Sequence, residues 1–411
     1  MSLNFLDVST NFIDFVVEKI SIIDLNWLGK VIQWLINGIG IMGLGIIVFT
    51  LILKTITMPL DVYSRVKMKK QSLIMKKMRP QMEKLQKQYA NDKNMYSQKV
   101  LELQKANGIS MLSSCLPMIV TLVIFMVVFS AFSTYSQYVN LSMYNDMVDS
   151  YNSSVQTYVG VGEDCFLQEY EDLSIGEKAY KVDFSAFERV SGESLEGKNE
   201  SEKMTVVRSF VRENARKNAA DYYREHRSNF LWIGSLWYPD SMLNKEVPDF
   251  SRFSSAISRA TGSGADKSYE SSYNEVTYYL LNDGYPSAAG KVEGKTFNGY
   301  FVLIVLSIGL MFLQQFITTR SQKDANELST VDGSGAKTNK WMMIMMPIIY
   351  GVFAFMYSSA FSLYMITGSV YSLVTTVVTN KIMDAKFEKM EASGGFEIKT
   401  EKENKRKRLK K

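Results

Sequence analysis

The stretch that decides the fold is GIGIMGLGIIVFTLILKTITMPL, residues 38–60. No charged residue falls between Lys30 and Lys54, and the 23 residues of that interval are mostly Ile, Leu, Val, Gly and Phe. The hydrocarbon core of a bilayer is about 30 Å thick, and roughly 20 helical residues cross it. This stretch therefore predicts a transmembrane helix at 37–60.

A single lysine interrupts the apolar stretch near its end, and two interpretations of it stay open. Lysines near helix ends commonly snorkel to the lipid headgroups, and Lys54 fits that pattern. The other interpretation starts from Thr50, Thr55 and Thr57, which surround the lysine with hydroxyl groups and extend a polar strip into the membrane. A cation in mid-membrane costs about 2.5–3.5 kcal/mol on insertion scales, so it usually lines a wet cavity and serves a function.

Charge-free runs recur along the 411 residues and predict an all-α polytopic membrane protein. The last run holds 40 residues, and at about 1.5 Å per residue it is long enough for two crossings. The chain is therefore expected to have five transmembrane helices. The charge-free runs are 31–53, 106–145, 296–319 and 341–380.

The distribution of basic residues predicts the orientation of these helices. Residues 61–110 hold 12 Lys/Arg against 4 Asp/Glu, and residues 381–411 hold 11 against 6. Residues 136–296 hold 17 Lys/Arg against 25 Asp/Glu. Because cytoplasmic loops are enriched in Lys and Arg, we expect the N-terminus outside and the C-terminus in the cytoplasm.

The predicted segments follow from these spans and this orientation. They are an N-terminal extracytoplasmic or interfacial amphipathic segment at 1–36, transmembrane helix 1 at 37–60, a basic cytoplasmic helical hairpin at 61–110, transmembrane helix 2 at 111–135, an acidic extracytoplasmic insert at 136–296, transmembrane helix 3 at 297–319, a cytoplasmic loop at 320–340, transmembrane helix 4 at 341–357, transmembrane helix 5 at 360–380 and a basic cytoplasmic tail at 381–411.

Two of these segments show helical periodicity. In the N-terminal segment, Trp27, Leu28, Val31, Ile32, Trp34 and Leu35 form the face of a helix that lies at the membrane interface or packs as an amphipathic helix. In residues 61–110, the stretch 91–94 predicts a turn between two helical arms. The alternative interpretation of this segment is a solvated loop helix whose charges only fix the membrane topology. The apolar residues at helical spacing in its two arms are Met68, Met75, Met78, Met82, Leu85, Tyr96, Val100 and Leu103.

The composition argues against catalysis and against a metal or cofactor. His226 is the only histidine, so a His-based triad or a multi-histidine metal site is excluded. The two cysteines form no CxxC pair, and the sequence has no glycine-rich loop that would cradle a phosphate. We expect neither a cofactor nor a metal site, and we do not expect an enzyme.

Three stretches of the sequence resemble the YidC/Oxa1/Alb3 membrane protein insertases, in their bacterial form. They are FTLILKTITMPL (49–60) with MKKQSLIMKKMRPQMEKLQKQY (68–89), NGISMLSSCLPMIVTLVIF (107–125), and LMFLQQ (310–315) with MMIMMPIIYGVFAF (342–355) and SSAFSLYMITGSVYSL (358–373). The resemblance implies five helices around a polar groove that opens to the cytoplasm and to lipid. It also implies a membrane insertase and chaperone in the bacterial cytoplasmic membrane.

The resemblance places candidate site residues in the spans. Lys54 occupies the position of the family's intramembrane cation, usually an arginine, and therefore lacks the planar guanidinium fork that holds a carboxylate with two bonds. The family's aromatic position in the last span is Met365 here. The 136–296 insert departs from the short connection common in the family; it binds an envelope partner, braces the bundle or shields its outer face. The expected groove residues are Lys54, Thr50, Gln314, Gln315, Ser362, Tyr364 and Met365.

The resemblance also implies partners: nascent membrane proteins, membrane lipids, the ribosome, the Sec translocon and an unknown partner of the insert. The hairpin is expected to capture clients through Lys69, Lys70, Lys76, Lys77 and Arg79. The tail suits ribosomal RNA, anionic lipid or only the fixing of topology. Its candidate contacts are Lys405, Arg406, Lys407, Arg408, Lys410 and Lys411.

Two other functions remain open at this point. One is a small anionic-solute transporter or channel with Lys54 as the solute site, although the chain lacks an evident repeat of its spans. The other is an envelope-assembly scaffold organised by the acidic insert. Charge-selective solute flux favours the transporter, and an insert that functions without the groove favours the scaffold.

Overall fold

Helices make up most of the chain that the structure describes. The computed structural model describes residues 17–108, 111–172, 177–240, 246–261, 269–282, 286–287, 290–291, 298–299, 301–321 and 334–392. The chain divides into two compact units, Met1–Trp27 with Ser133–Tyr300 and Leu28–Phe132 with Phe301–Lys411.

The helices and strands follow one another along the chain with these bounds. The helices are α1 Trp27–Ile39, α2 Met42–Gln88, α3 Lys93–Ala106, α4 Met111–Gln156, α5 Phe184–Ser191, α6 Glu200–His226, α7 Phe250–Thr261, α8 Tyr269–Val276, α9 Tyr278–Leu281, α10 Val302–Ser321, α11 Ser334–Met356 and α12 Ser359–Ala392. The strands are β1 Leu167–Asp172, β2 Glu177–Val182, β3 Pro286–Ser287 and β4 Gly290–Lys291, paired β1 with β2 and β3 with β4, both antiparallel.

A glycine separates the first two helices. Gly40 has a φ of 76°, in the left-handed region where glycine meets no Cβ penalty, and α2 begins two residues later. Gly45 then lets α2 approach α1 closely, because a Cβ there would lie 3.0 Å from the Ile36 Cα. In α1 the predicted apolar face is divided: Trp27 and Trp34 are exposed, whereas Ile32 is fully buried.

The basic hairpin has the core that its sequence spacing predicted. In this hairpin α2 continues through residue 88 without a break at residue 60, and α3 packs back against its end. Asp92 caps α3 by accepting hydrogen bonds from the backbone N–H groups of Asn94 and Met95 at 3.1 and 3.0 Å. The predicted coiled-coil-like contact is confirmed except at Met68, which lies outside the packed cluster. The residues that pack together are Met75, Met78, Met82, Leu85, Tyr96, Val100 and Leu103.

Contacts within the second unit give the relative directions of its helices. α2 and α12 are parallel, because their contacts advance together from Thr55–Tyr371 to Lys69–Asp384. α10 and α11 are antiparallel, because Phe301 stacks near Phe355 whereas Gly351 approaches Ile308. Rings of α4 meet successive rings of α11 in the same order, which makes these two helices parallel.

Three helices of the described chain are long and apolar enough to cross a membrane, as judged by length and composition: Met42–Gln88, Val302–Arg320 and Ser359–Lys389. Each of them leaves large apolar side chains exposed, which water would disfavour and lipid would accept. Examples are Ile56 at 70% exposure, Val305 at 67% and Val374 at 56%. The other two predicted spans lie in α4 and α11, which are both helical.

The first unit holds the insert and an N-terminal extended segment. Its core forms where the second half of α4 packs with α6 and with the short helices α7 to α9. A capping box begins α6, since Asn199 and Glu202 each accept a hydrogen bond from the other's backbone N–H. Two carboxylates tie the helices together: Glu275 pairs with Arg216 at 2.5 Å, and Glu246 with Arg224 at 2.7 Å.

Helix α4 differs from the sequence expectation in its length. The sequence predicts that transmembrane helix 2 ends at residue 135, whereas α4 runs without interruption to Gln156. It remains helical because its second half is amphipathic and buries one face in the insert core. The buried residues recur at steps of three and four: Leu141, Tyr144, Val148, Tyr151 and Val155.

Candidate functional site

Lys54 lies in the seam between two parallel helices. Its side chain crosses the face of α12 at Gly368, where a Cβ would stand 3.0 Å from the lysine Cε and 3.9 Å from its Nζ. The side chain is half-buried. Lys54 is twelve residues after the start of α2, so it lies about 18 Å along a helix that is long and apolar enough to cross a membrane.

A row of small polar residues allows α12 to pack closely in the bundle. These residues recur at steps of three, four and seven, and each of them is buried. Small residues at such spacing let helix backbones approach in a membrane, where packing rather than the hydrophobic effect drives association. Gly368 interrupts the Cβ surface next to this row and leaves the volume that the lysine fills. The row consists of Ser359, Ser362, Ser369, Ser372, Thr376 and Thr379.

The threonines around Lys54 have different partners. Thr50 is fully buried, and its hydroxyl donates to the Ile46 carbonyl at 2.6 Å, while its methyl group faces Gly368. Thr55 donates to the Leu51 carbonyl at 2.7 Å and lies 3.3 Å from the Tyr371 hydroxyl. The hydroxyls of Thr55 and Tyr371 therefore form a polar contact between α2 and α12, one helical turn from Gly368.

Charged residues continue the Lys54 side of α2 beyond the apolar segment. Asp61 and Arg65 follow Lys54 at seven and eleven residues, and Asp61 interacts electrostatically with both of the cations. Residues at this spacing share one face of a helix. Further along, Lys69 Nζ pairs with Asp384 Oδ1 of α12 at 2.8 Å. The α2–α12 seam thus combines the half-buried Lys54 with an ion pair at its far end.

Two of the expected groove residues are packed in the bundle interior. Ser362 is fully buried, and its hydroxyl lies 3.5 Å from the Ala354 carbonyl of α11. Tyr364 is 6% exposed and packs its ring 5.3 Å from that of Phe132. Met365 beside it is half-buried. The structure therefore places Ser362 and Tyr364 where they contact neighbouring helices.

Gln314 and Gln315 are half-buried on α10, which packs against both α11 and α12. The backbone carbonyl of Gln314 accepts a hydrogen bond from the Thr318 hydroxyl at 2.9 Å. The two amides add polar groups to a helix that is otherwise apolar enough to cross a membrane.

The five hairpin cations divide by exposure and by partner. Lys69 is engaged with α12, as described above. Lys70 and Lys76 are exposed, and Arg79 pairs with Glu83 one turn away at 3.6 Å. Lys77 is half-buried. The candidate tail residues 405–411 lie outside the described residues.

Gly368 and Tyr371 join the candidate site although the sequence analysis singled out neither. The stretch ITGSVYSL contains both, but a glycine in an apolar helix gives no indication of which side chain it faces. These two residues are identified by their contacts with α2, and only the three-dimensional structure shows those contacts. Within the described part of the chain, no group of three or more His, Cys, Asp or Glu residues is placed to hold a metal ion.

This arrangement provides a cation, the hydroxyls of Thr50, Thr55 and Tyr371, and small side chains inside an apolar bundle. A lysine ammonium attracts an anionic group as a point charge, with three rotatable donors and no fixed orientation. No nucleophile, acid or base is paired with another for bond-making among these side chains. The site is thus suited to binding and release of an anionic or polar group.

Comparison with known proteins relates the chain to a family of membrane proteins. A membrane protein insertase YidC from Fusobacterium nucleatum is 35% identical over 108 residues, which are 25% of this chain and 51% of that relative. Another from a Jannaschia species is 39% identical over 101 residues, 25% of this chain and 15% of the relative. A third from Caldanaerobacter subterraneus is 29% identical over 109 residues, 26% and 51%. The chain spans about half or less of the length of these relatives.

The family match extends much further along the chain than any of these pairwise alignments. The family described as 60Kd inner membrane protein matches residues 34–160 and 214–386, more than half of the chain. The matched ranges include Lys54, the hairpin, α4, α10, α11 and most of α12. The predicted resemblance is confirmed, and the chain belongs to the 60Kd inner membrane protein family, that of YidC and Oxa1.

Proposed function

We propose that the protein is a membrane protein insertase and chaperone, which inserts nascent membrane proteins and helps them fold. The observation that carries the proposal is the position of Lys54, half-buried in the seam between α2 and α12 and accommodated by Gly368. The names of the relatives, membrane protein insertase YidC, support it.

The physical problem of insertion explains why a cation belongs in such a seam. A nascent single-span client must bring its short polar tail through hydrocarbon, where each charged group is strongly disfavoured. A groove that admits water to the inner half of the bilayer shortens the apolar barrier. Lys54 then gives an acidic tail a counter-charge, while the half-buried Gln314, Gln315 and Met365 belong to the surroundings that we propose for the client.

The attraction between the lysine and the client tail has to remain moderate, because the tail must leave again. At about 4 Å and an effective dielectric constant near 20, the Coulomb attraction is about 4 kcal/mol before desolvation is subtracted. Burial of the client's apolar side chains in lipid drives the release, so no nucleotide is required. We propose that the client leaves along the lipid-facing side between α10 and α12.

The proposal includes an orientation in the bacterial cytoplasmic membrane, with the N-terminus outside and the C-terminus in the cytoplasm. The charge distribution supports this orientation, because it would place both the basic hairpin and the basic tail in the cytoplasm, where loops are enriched in Lys and Arg. The helix directions also agree with it: α2 and α12 are parallel, as the first and last of five alternating spans must be.

The partners that we propose follow from the basic segments. We propose that the exposed cations Lys70, Lys76 and Arg79 of the hairpin contact clients, the ribosome or a Sec translocon. The tail suits ribosomal RNA or anionic lipid, and both interactions weaken as salt increases. The insert has a separate partner or braces the bundle.

The experiment that tests the function is reconstitution of the purified protein into liposomes, followed by synthesis of a short-tailed single-span client. Protease protection measures how much of the client has crossed. Protection well above that in empty liposomes is the expected result. Protection no higher than in empty liposomes, with verified orientation and a working control insertase, would contradict the proposal. Charge-selective solute flux in the same liposomes would then favour the transporter.

A further inference from the structure

The N-terminal segment is bound to α4 through its main chain rather than through a helix or strand. Asn145 Oδ1 accepts a hydrogen bond from the Ile20 N–H at 2.9 Å, and Asn145 Nδ2 donates to the Ile20 carbonyl at 2.8 Å. Asn152 Oδ1 likewise accepts a hydrogen bond from the Val17 N–H at 3.1 Å, and Asn152 Nδ2 donates to the Val17 carbonyl at 3.0 Å. Each asparagine therefore satisfies both backbone groups of one residue.

The spacing of the two asparagines matches the repeat of an extended chain. They are seven residues apart on α4, which is two turns and about 10.5 Å. Their partners are three residues apart, and three residues of a polyproline II helix span about 9.3 Å. The side chains of Val17, Ile20 and Ile23 pack into the insert core at this same interval of three. Two turns of α4 therefore have nearly the same length as three residues of an extended peptide.

Side chains add selectivity to these main-chain contacts. Val17 and Ile20 are 5% and 7% exposed, so their side chains fill apolar sites beside the asparagines. Between them, Lys19 Nζ pairs with Asp149 Oδ2 at 2.7 Å, one helical turn after Asn145. Main-chain hydrogen bonds provide affinity without regard to sequence, whereas side-chain sites discriminate between peptides. The pattern selected here is apolar, any residue, basic, apolar.

We propose that this face of α4, formed by Asn145, Asp149 and Asn152, is an exchangeable binding site for extended peptides of that pattern. Its resident ligand is the chain's own segment at residues 17–20. An unfolded segment of another chain with the same pattern competes for the site by the same hydrogen bonds. The proposal concerns peptide binding alone and stands apart from the insertion activity.

The binding of residues 17–20 can be measured in the full-length protein if the chain is cut just after this segment. Ser21 and Ile22 are exposed, so a protease recognition sequence inserted between them is accessible. A fluorophore at the N-terminus reports whether the fragment stays after cleavage in detergent or nanodiscs. The competitor is the synthetic peptide VEKISIIDL, the sequence of residues 17–25.

The site predicts both retention and exchange. The cleaved fragment is expected to remain bound and to be displaced by excess peptide, while the uncut chain binds labelled peptide poorly. Loss of two hydrogen bonds in Asn145→Ala should weaken retention roughly tenfold. The matched control is Ser153→Ala, which changes an exposed residue on the same helix. Fragment retention as strong in Asn145→Ala as in Ser153→Ala would overturn the proposal.

A second measurement leaves the protein unchanged and so does not depend on how the variants fold. A peptide with glutamate in place of Lys19 places a like charge beside Asp149 and should compete several-fold more weakly than VEKISIIDL. Equal competition by the two peptides would overturn the proposed selectivity. A cleaved fragment that no excess of peptide displaces would show that the segment is a fixed part of the core, and would overturn the exchange.

Discussion

Gly368 offers a way to move Lys54 without removing its charge. A Cβ at this position would stand 3.0 Å from the lysine Cε, whereas carbon atoms pack best at about 3.5–4.0 Å. In Gly368→Ala the flexible lysine has to retreat by about 0.5–1 Å. Alanine also favours the helix by about 1 kcal/mol over glycine. We therefore expect Gly368→Ala to be at least as stable as the parent and to retain most insertion.

Gly368→Leu is expected to behave differently, because its branched side chain occupies the volume that the lysine fills. If the ammonium moves from about 4 Å to about 8 Å from a client carboxylate, a Coulomb attraction of about 4 kcal/mol is halved at an effective dielectric constant of 20. The loss of about 2 kcal/mol corresponds to an upper limit of about thirtyfold in rate. The assay is client insertion into liposomes, with acidic and neutral tails compared.

The matched control for this prediction is a glycine in another span. A Cβ at Gly309 of α10 would meet nothing within 4 Å, so Gly309→Leu adds the same side chain without disturbing a neighbour. We expect Gly309→Leu to insert both clients as the parent does, and Gly368→Leu to lose the acidic-tailed client preferentially. Equal insertion of both clients by the two variants would refute the placement of Lys54.

Three further predictions concern the rest of the chain. The Asp384 side chain of the Lys69–Asp384 ion pair is 55% exposed to solvent. A double-mutant cycle with alanine at both positions should therefore give a coupling free energy of only about 0.5 kcal/mol, and a coupling near zero would contradict a stabilising ion pair. Met78→Ala should destabilise the hairpin by about 2–5 kcal/mol, seen as faster hydrogen exchange in α3, whereas Met95→Ala, at an exposed position, should change it little; equal exchange would contradict the packing. Burial raises the pKa of Tyr223 above its usual value of 10.0, so its contribution to stability is present below that pH and is lost as the pH rises further; Tyr223→Phe should unfold less readily in alkali, and an unchanged alkaline transition would contradict this.

The hairpin shows what periodicity can predict. Met75, Met78 and Met82 recur at steps of three and four, and the structure packs them against Val100 and Leu103 of the second arm. A local pattern decides this outcome because both arms are adjacent in sequence and the turn between them is short. Contacts of this kind need no information from distant parts of the chain.

The length of α4 was predictable in principle but was obscured by composition. The sequence assigns the residues after 135 to the acidic insert, and the two compact units divide nearby, between Phe132 and Ser133. The helical period of Leu141, Tyr144 and Val148 continues nevertheless, because one face of this helix is buried in the insert core. Periodicity was a better guide to the end of the helix than hydrophobicity.

The contacts between candidate-site residues that lie far apart in the sequence could be found only from the structure. The charge pattern predicts that Lys54 lies near or within the membrane, but its contact with Gly368 depends on two residues that are more than three hundred positions apart in sequence. The placement of Tyr364 against Phe132 depends in the same way on the packing of α4 with α12. Neither contact leaves a local signal.

The most direct test of the central claim is insertion by Lys54 variants in purified liposomes. Clients identical except for an acidic or a neutral tail are synthesised in the presence of the parent, Lys54→Arg or Lys54→Leu, and protease protection is measured. We predict that Lys54→Arg retains insertion of both clients, whereas Lys54→Leu impairs insertion of the acidic-tailed client most. Equal insertion of acidic and neutral-tailed clients by Lys54→Leu would contradict the role of the lysine as a counter-charge.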